Sequence, residues 1–209
     1  APAGADWSVA FGLGARPDDN GPFGGDSRGW SAGIVPHWQP SDRLAVTLFA
    51  DWDQMHDEEV VPAYYPTGDT LPPRVDRDID QSRPWADWAY ETQNQGMILD
   101  AGLTSRLSAR LGLFRSVQVL PHDAFALLAI DGQRRVGDLT YVLLPATRYA
   151  ALSGEGSLRY TLESDRADHV VSLTSRGLSS RSRKGGEVET GPHPWSIDAP
   201  PALPAPDIT

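Results

Sequence analysis

Residues 37–52 read HWQPSDRLAVTLFADW, and the solvent that each face of this stretch meets decides the fold. After a Pro-Ser-Asp turn signal, Leu44, Val46, Leu48, Ala50 and Trp52 fall on one side of an alternating run, with Ala45, Thr47, Phe49 and Asp51 on the other. In a soluble sheet the apolar side meets a protein core. In an outer-membrane barrel the same side meets lipid, and the polar side lines the interior. The alternation by itself fits both.

Composition narrows the field. Gly (20), Pro (18) and Trp (7) are spread among short apolar runs, which favours strands over helices. A net charge of −10 and an isoelectric point near 4.8 argue against a nucleic-acid partner, because phosphate backbones are held by clustered cations. Of the basic residues only Lys184 is lysine; the rest are arginine. The absence of cysteine excludes a disulfide scaffold and Cys-ligated zinc. The longest apolar run, AFALLAI at 124–130, is too short for a membrane helix. A β-barrel stays open, since its lipid-facing residues alternate with polar ones and mean hydropathy, here −0.37, remains low. The opening APAGADWS has no basic segment followed by an apolar one, so a signal peptide is expected to be removed or to lie upstream.

Seven strand-like segments follow from period-two patterning: residues 7–16, 30–38, 44–53, 95–103, 107–116, 148–162 and 169–181. Their connections alternate in length. Residues 17–29, 54–94 and 117–147 are long, whereas 39–43, 104–106 and 163–168 are short. A soluble sandwich has no reason to gather every long connection at one end of its strands. An outer-membrane barrel does, because tight turns face the periplasm and large loops face outward. The expected fold is therefore all-β, with antiparallel up-and-down strands forming part of a transmembrane barrel over residues 1–189. Residues 190–209, TGPHPWSIDAPPALPAPDIT, are expected to be a Pro-rich loop or irregular tail.

The aromatic residues make a second argument. Trp30 and Trp38 share a face at opposite ends of one segment, about 27 Å apart along the chain and about 20 Å apart after a tilt near 40°. That is close to the roughly 25 Å apolar band between the aromatic girdles of a barrel. Trp52 falls with Trp30 at the long-loop end, and Trp7 and Tyr160 fall with Trp38 at the short-turn end. All five sit on the faces expected to meet lipid, where an amphipathic ring suits the boundary. The polar faces carry Arg16, Asp51, Asp100, Arg110 and Arg159, as expected of a barrel interior.

These features together resemble the TonB-dependent outer-membrane receptors of ferric siderophores. The resemblance rests on a first strand and a Gly-Pro-Phe-Gly-Gly loop at 21–25. It continues through the hairpin GWSAGIVPHWQPSDRLAVTLFADWDQ at 29–54, ARLGLFRS at 109–116 and SRGLSSRSRKGG at 175–186. It implies an early barrel segment that follows a plug domain absent from this chain, with import of a ferric siderophore or similar nutrient driven through the TonB complex. Such receptors have 22 strands, and seven is an odd number, so the chain is expected to be a segment of a longer protein. The alternative from a different class is a soluble β-sandwich interaction or carbohydrate-binding module.

No catalytic constellation is present: there is no G-x-S-x-G, H-E-x-x-H or P-loop, and the five histidines are dispersed. The chain is expected not to be an enzyme and to carry no cofactor. His56 in MHDEE is a weak metal candidate. Residues 76–87, DRDIDQSRPWAD, open like a calcium loop but place Gln81 and Asp87 where Gly and Glu are needed, which favours solvated acids. Tyr64, Tyr65, Trp85, Trp88 and Tyr90 gather in the longest loop. They suit recognition of a flat ligand or sugar, or equally a satellite cluster that holds the loop together. FALLAI and LTYVLL flank Asp131-Gly132, which reads as a hairpin around a type I′ turn, with Arg134 and Arg135 near its tip suited equally to attracting an anionic chelate or to serving as ordinary solubilising charges.

Overall fold

A computed structural model describes residues 6–19, 27–71, 74–76, 78–163 and 167–207. The Gly-Pro-Phe-Gly-Gly motif at 21–25 and the middle of the 163–168 turn lie outside these residues. Among the described residues the chain is all-β, with no helix.

Seven long strands form one antiparallel meander: β1 (Trp7–Asp19), β2 (Ser27–Ser41), β3 (Leu44–Glu59), β5 (Asp87–Gly102), β6 (Leu107–Leu120), β9 (Thr147–Glu163) and β10 (Asp168–Arg183), neighbours in that order. The short connections β2–β3, β5–β6 and β9–β10 meet at one end and the long ones at the other, as loop lengths require. A second sheet of four strands is built from the long connections: β4 (Ala63–Pro66), β7 (Ala124–Asp131), β8 (Val136–Leu143) and β11 (Val188–Ser196), in the order β11-β8-β7-β4. It is antiparallel except for the parallel pair β4 and β7.

Three expectations are corrected. The strands flanking residues 54–94 run further than their pattern shows, with Met55 opposite Tyr90 and Glu58 opposite Trp88 across a bulge that places Asp57 at φ 58°. Above Trp52 the sequence is polar except for Met55, so the period of two disappears although pairing continues. The β7–β8 turn is not type I′. Four residues separate Asp131 from its partner Val136, the Arg134 and Arg135 amides both donate to Asp131 O, and only Arg135 takes positive φ, 56°. Finally, residues 188–196 are a strand, so the boundary expected at 189/190 falls inside β11. Prolines did not prevent it because β11 is an edge strand and Pro192 sits in a register break between Thr190 and His193.

The core lies entirely at the long-connection end. Ala126, Leu128, Ile130, Leu139, Tyr141, Trp195 and Ile197 are buried there, with Val60 and Ala86 contributed by the β3–β5 connection. The meander is tied to the connection entering β7 where the Ala89 amide of β5 donates to His122 O, 3.0 Å, and the Leu144 amide extends the β7–β8 ladder by donating to Asp123 O, 2.7 Å.

The meander, in contrast, has an uncovered apolar face. Pairing aligns Val9 with Pro36, Phe11 with Ile34, Val46 with Leu99, Leu48 with Met97, Leu99 with Leu111 and Ala109 with Leu158. Leu48 is 43 % exposed, Leu111 49 % and Leu13 83 %. A sandwich would bury these side chains under a second layer, and among the described residues no layer covers them. The opposite face is polar and internally paired. His37 Nδ1 lies 2.8 Å from Thr47 Oγ1, Asn94 donates to Asp51 (2.9 Å), and Arg110 pairs with Asp100 (3.5 Å). Phe49 and Phe114 pack 5.3 Å apart across Gly96, where an added Cβ would strike the Phe49 ring and Leu113 O. Only glycine lets the two rings cover that gap in the ladder.

Candidate functional site

The first candidate surface is the apolar face and its aromatic rims. Trp7 stacks on Trp38 with ring centroids 5.8 Å apart, and Trp30 meets Trp52 edge-on at 4.4 Å. Register puts Tyr160 opposite Leu107 and Val171, near the short-turn end. All five aromatics fall on the apolar face, in two groups at its two ends.

The band they bound is slanted across the strands. One hydrogen-bonded row runs Trp7, Trp38, Val46, Leu99, Leu111, Gly156, Ser175. In β1 and β2 the apolar side chains, up to Leu13 and Trp30, lie on the long-connection side of this row. In β5 and β6, Met97 and Leu113 are the last of them before Gln95 and Arg115. In β10, Val171 and Leu173 lie on the short-turn side. The short turns shift the same way. From the row to the turn centre the chain runs about four residues at the first hairpin, about six at the second and about nine at the third. At about 3.3 Å per residue and 4.8 Å per strand, this is a slope of about 43°. If the turns and the band are level, the strands tilt by that angle, within the roughly 35–45° of barrel strands.

The second candidate is the four-stranded sheet, and it separates the loop aromatics and arginines. Tyr64, Trp85 and Trp88 pack against its core. Trp85 meets Tyr141 at 4.7 Å and donates its indole N–H to Leu203 O (2.9 Å), and Trp88 lies 5.2 Å from Tyr90 on β5. These residues hold the loop to the sheet. Arg135 grips Asp198 with two hydrogen bonds of 2.8 and 2.7 Å, which tie the hairpin tip to the chain after β11; the guanidinium holds the Asp198 carboxyl below its usual range. Tyr65 is 69 % exposed. Arg134 is exposed beside Asp131 (3.5 Å) and lines an open cleft of about 600 Å³ together with Thr67, Asp138, Trp195 and Ser196. Of the seven loop residues singled out by sequence, Arg134 and Tyr65 are the ones turned outward, and Trp195 and Asp138 join the cleft from strands that the pattern could not align.

The calcium-like stretch is used structurally. Asp76 Oδ1 accepts from the Asp78 amide and Asp80 Oδ1 from the Ser82 amide and hydroxyl, so both carboxylates serve local turns. Gln81 is fully buried, donating to Ile197 O and accepting from Trp195 Nε1, both 2.9 Å. Arg83 lies over the Trp195 ring at 4.4 Å and donates to Pro201 O. Among the described residues no three His, Asp or Glu side chains converge to hold a metal, His56 included.

Tyr141 is wholly buried, and desolvation pushes its phenol up to about 12. A raised folded-state value means that stability is intact below the ordinary tyrosine range and is lost as pH rises from about 10 towards 12. Tyr141→Phe is expected to flatten this alkaline loss. Because Tyr141 Oη makes no hydrogen bond to a described residue, the substitution costs little at neutral pH. Melting curves at neutral pH and across pH 9–12 measure both effects.

No protein-family model matches the chain, and no curated protein matches it.

Proposed function

We propose that this chain forms part of an outer-membrane receptor whose barrel spans the lipid and whose outer sheet captures a ferric siderophore or similar nutrient, imported with TonB-derived energy. The observation that carries the reading is the slanted apolar band. An uncovered apolar face, closed at both ends by tryptophan pairs and inclined to the strands at a barrel's tilt, is what hydrocarbon of fixed thickness selects. A soluble sandwich would need a second layer over such a face, and among the described residues none lies there. The strands of the meander are also 13–17 residues long, enough to cross a bilayer at that tilt and continue above it. The nutrient class rests on the resemblance to ferric siderophore receptors; the cleft at Arg134 offers an open site of suitable size, with Asp131 and Asp138 beside the arginine. The TonB step rests on the resemblance alone.

Two experiments test the reading. Single cysteines at Asp42, in the β2–β3 turn, and at Asp69, in the β3–β5 connection, are introduced in the full-length protein and probed on intact cells with an impermeant thiol reagent. Labelling is expected at Asp69 and not at Asp42; the reverse pattern inverts the orientation. Uptake of iron-55 chelates by iron-starved cells with and without the gene tests the cargo. Energy-dependent uptake of at least one ferric siderophore is expected to fall, and unchanged uptake of every chelate overturns the nutrient class.

A further inference from the structure

Just beyond the apolar band, on its long-connection side, the same outward face carries a group of arginines. Register places Arg148 of β9 directly opposite Arg183 of β10, and Arg181 opposite Ala150. Arg115 of β6 sits opposite Leu152, the last leucine of the band on β9. All four are exposed, and none forms an ion pair with a described residue. Strand geometry sets the Cα atoms of Arg148, Arg181 and Arg183 within about 5–8 Å of one another. Like charges directly opposite in a ladder repel, and compensation on this face is thin. Glu91 of β5 stands two strands from Arg148, opposite Val119, while exposed Lys184 and Glu187 follow β10. In a chain of net charge −10 this concentration on one face calls for an anion.

We propose that Arg115, Arg148, Arg181 and Arg183 bind the anionic headgroup of a phosphorylated glycolipid in the outer leaflet. The proposal rests on the membrane reading above. Guanidinium groups grip phosphate oxygens in pairs, and a phosphate bridging Arg148 and Arg183 turns their repulsion into a shared contact. Position selects a lipid over a free anion, because the arginines stand on the face that bears the band, away from the polar face. Height selects the kind of lipid. At the tilt given above, Leu152 stands about 3 Å higher than its register partner Arg115, and Arg148, four residues further along β9, about 13 Å higher than Arg115. A single phosphodiester layer extends only about 5–8 Å beyond the hydrocarbon. A sugar headgroup bearing several anionic groups spans the whole cluster.

The test uses the full-length protein in neutral detergent and measures bound rough lipopolysaccharide, a phosphorylated glycolipid with inner-core sugars, by native mass spectrometry. The triple variant Arg148→Gln, Arg181→Gln, Arg183→Gln is expected to bind at least about tenfold more weakly, the scale of one lost charge-assisted contact. Arg110→Gln, Arg159→Gln, Arg176→Gln makes the same charge change on the opposite face and is expected to leave binding within about twofold. Equal loss in both triples, no loss in the first, or displacement of the glycolipid by millimolar inorganic phosphate overturns the proposal; the last result assigns the arginines to a soluble anion. Insertion into phosphatidylcholine vesicles is scored separately. Failure of the wild-type protein to insert refutes the membrane reading and this proposal with it, whereas normal insertion without glycolipid binding refutes this proposal alone.

Discussion

Leu48→Arg is expected to destabilise the full-length protein in lipid vesicles by roughly 2–4 kcal/mol, and Thr47→Arg by much less. The two residues are adjacent on β3 and face opposite sides of the meander. Leu48 lies opposite Met97 within the apolar band, and Thr47 lies opposite Ile98 on the polar face, beside His37. Hydrocarbon at Leu48 cannot hydrate a guanidinium, while the Thr47 side offers polar neighbours. Trp52 completes the test. It meets Trp30 at the rim of the band, where a charge costs only about 0–1 kcal/mol beyond the lost ring contact. Reversible unfolding measures all three. A Trp52→Arg penalty as large as that of Leu48→Arg means that the apolar face is packed against protein throughout and has no lipid boundary.

Trp195→Ala is expected to cost about 3–5 kcal/mol, and the loss should be confined to the four-stranded sheet. Trp195 is 2 % exposed and donates to buried Gln81; its ring carries Arg83, and Gln81 in turn binds Ile197 O. Truncating it opens a cavity and frees polar groups on three segments at once. Hydrogen exchange resolves the location: faster exchange in β7, β8 and β11 with β5, β6 and β9 unchanged is the expected pattern. A uniform rise across both sheets would mean that the outer sheet and the meander unfold as one unit.

For the meander, the sequence by itself determined the strands, their antiparallel order and the end at which the long connections gather. Period-two patterning over residues 44–53 or 107–116 is a local property, because adjacent side chains on a strand must see different solvents. The five rim aromatics were legible for the same reason: their parity places them on one face whatever the partners. What parity cannot reveal is register. Only the observed strand pairing aligned Trp38 with Val46, Val46 with Leu99 and Leu111 with Gly156, and so exposed the slant of the band, and only pairing brought Arg148 against Arg183. The outer sheet was legible only in its β7–β8 hairpin. Its other strands, β4 and the Pro-containing β11, owe their conformation to partners 45 or more residues away, so no local signal marks them. Trp85 and Trp88 looked equally suited to a ligand or to the fold, and Arg135 to a ligand or to solvent, since an aromatic ring or a guanidinium in a polar loop has the same composition in either role. Burial and partners decided: Trp85 rests on Tyr141 and Arg135 holds Asp198, while Arg134, one residue earlier, is left facing the cleft. Local patterning determines which side of a strand meets which solvent; tertiary contact decides which polar and aromatic groups are already occupied and which remain available to bind.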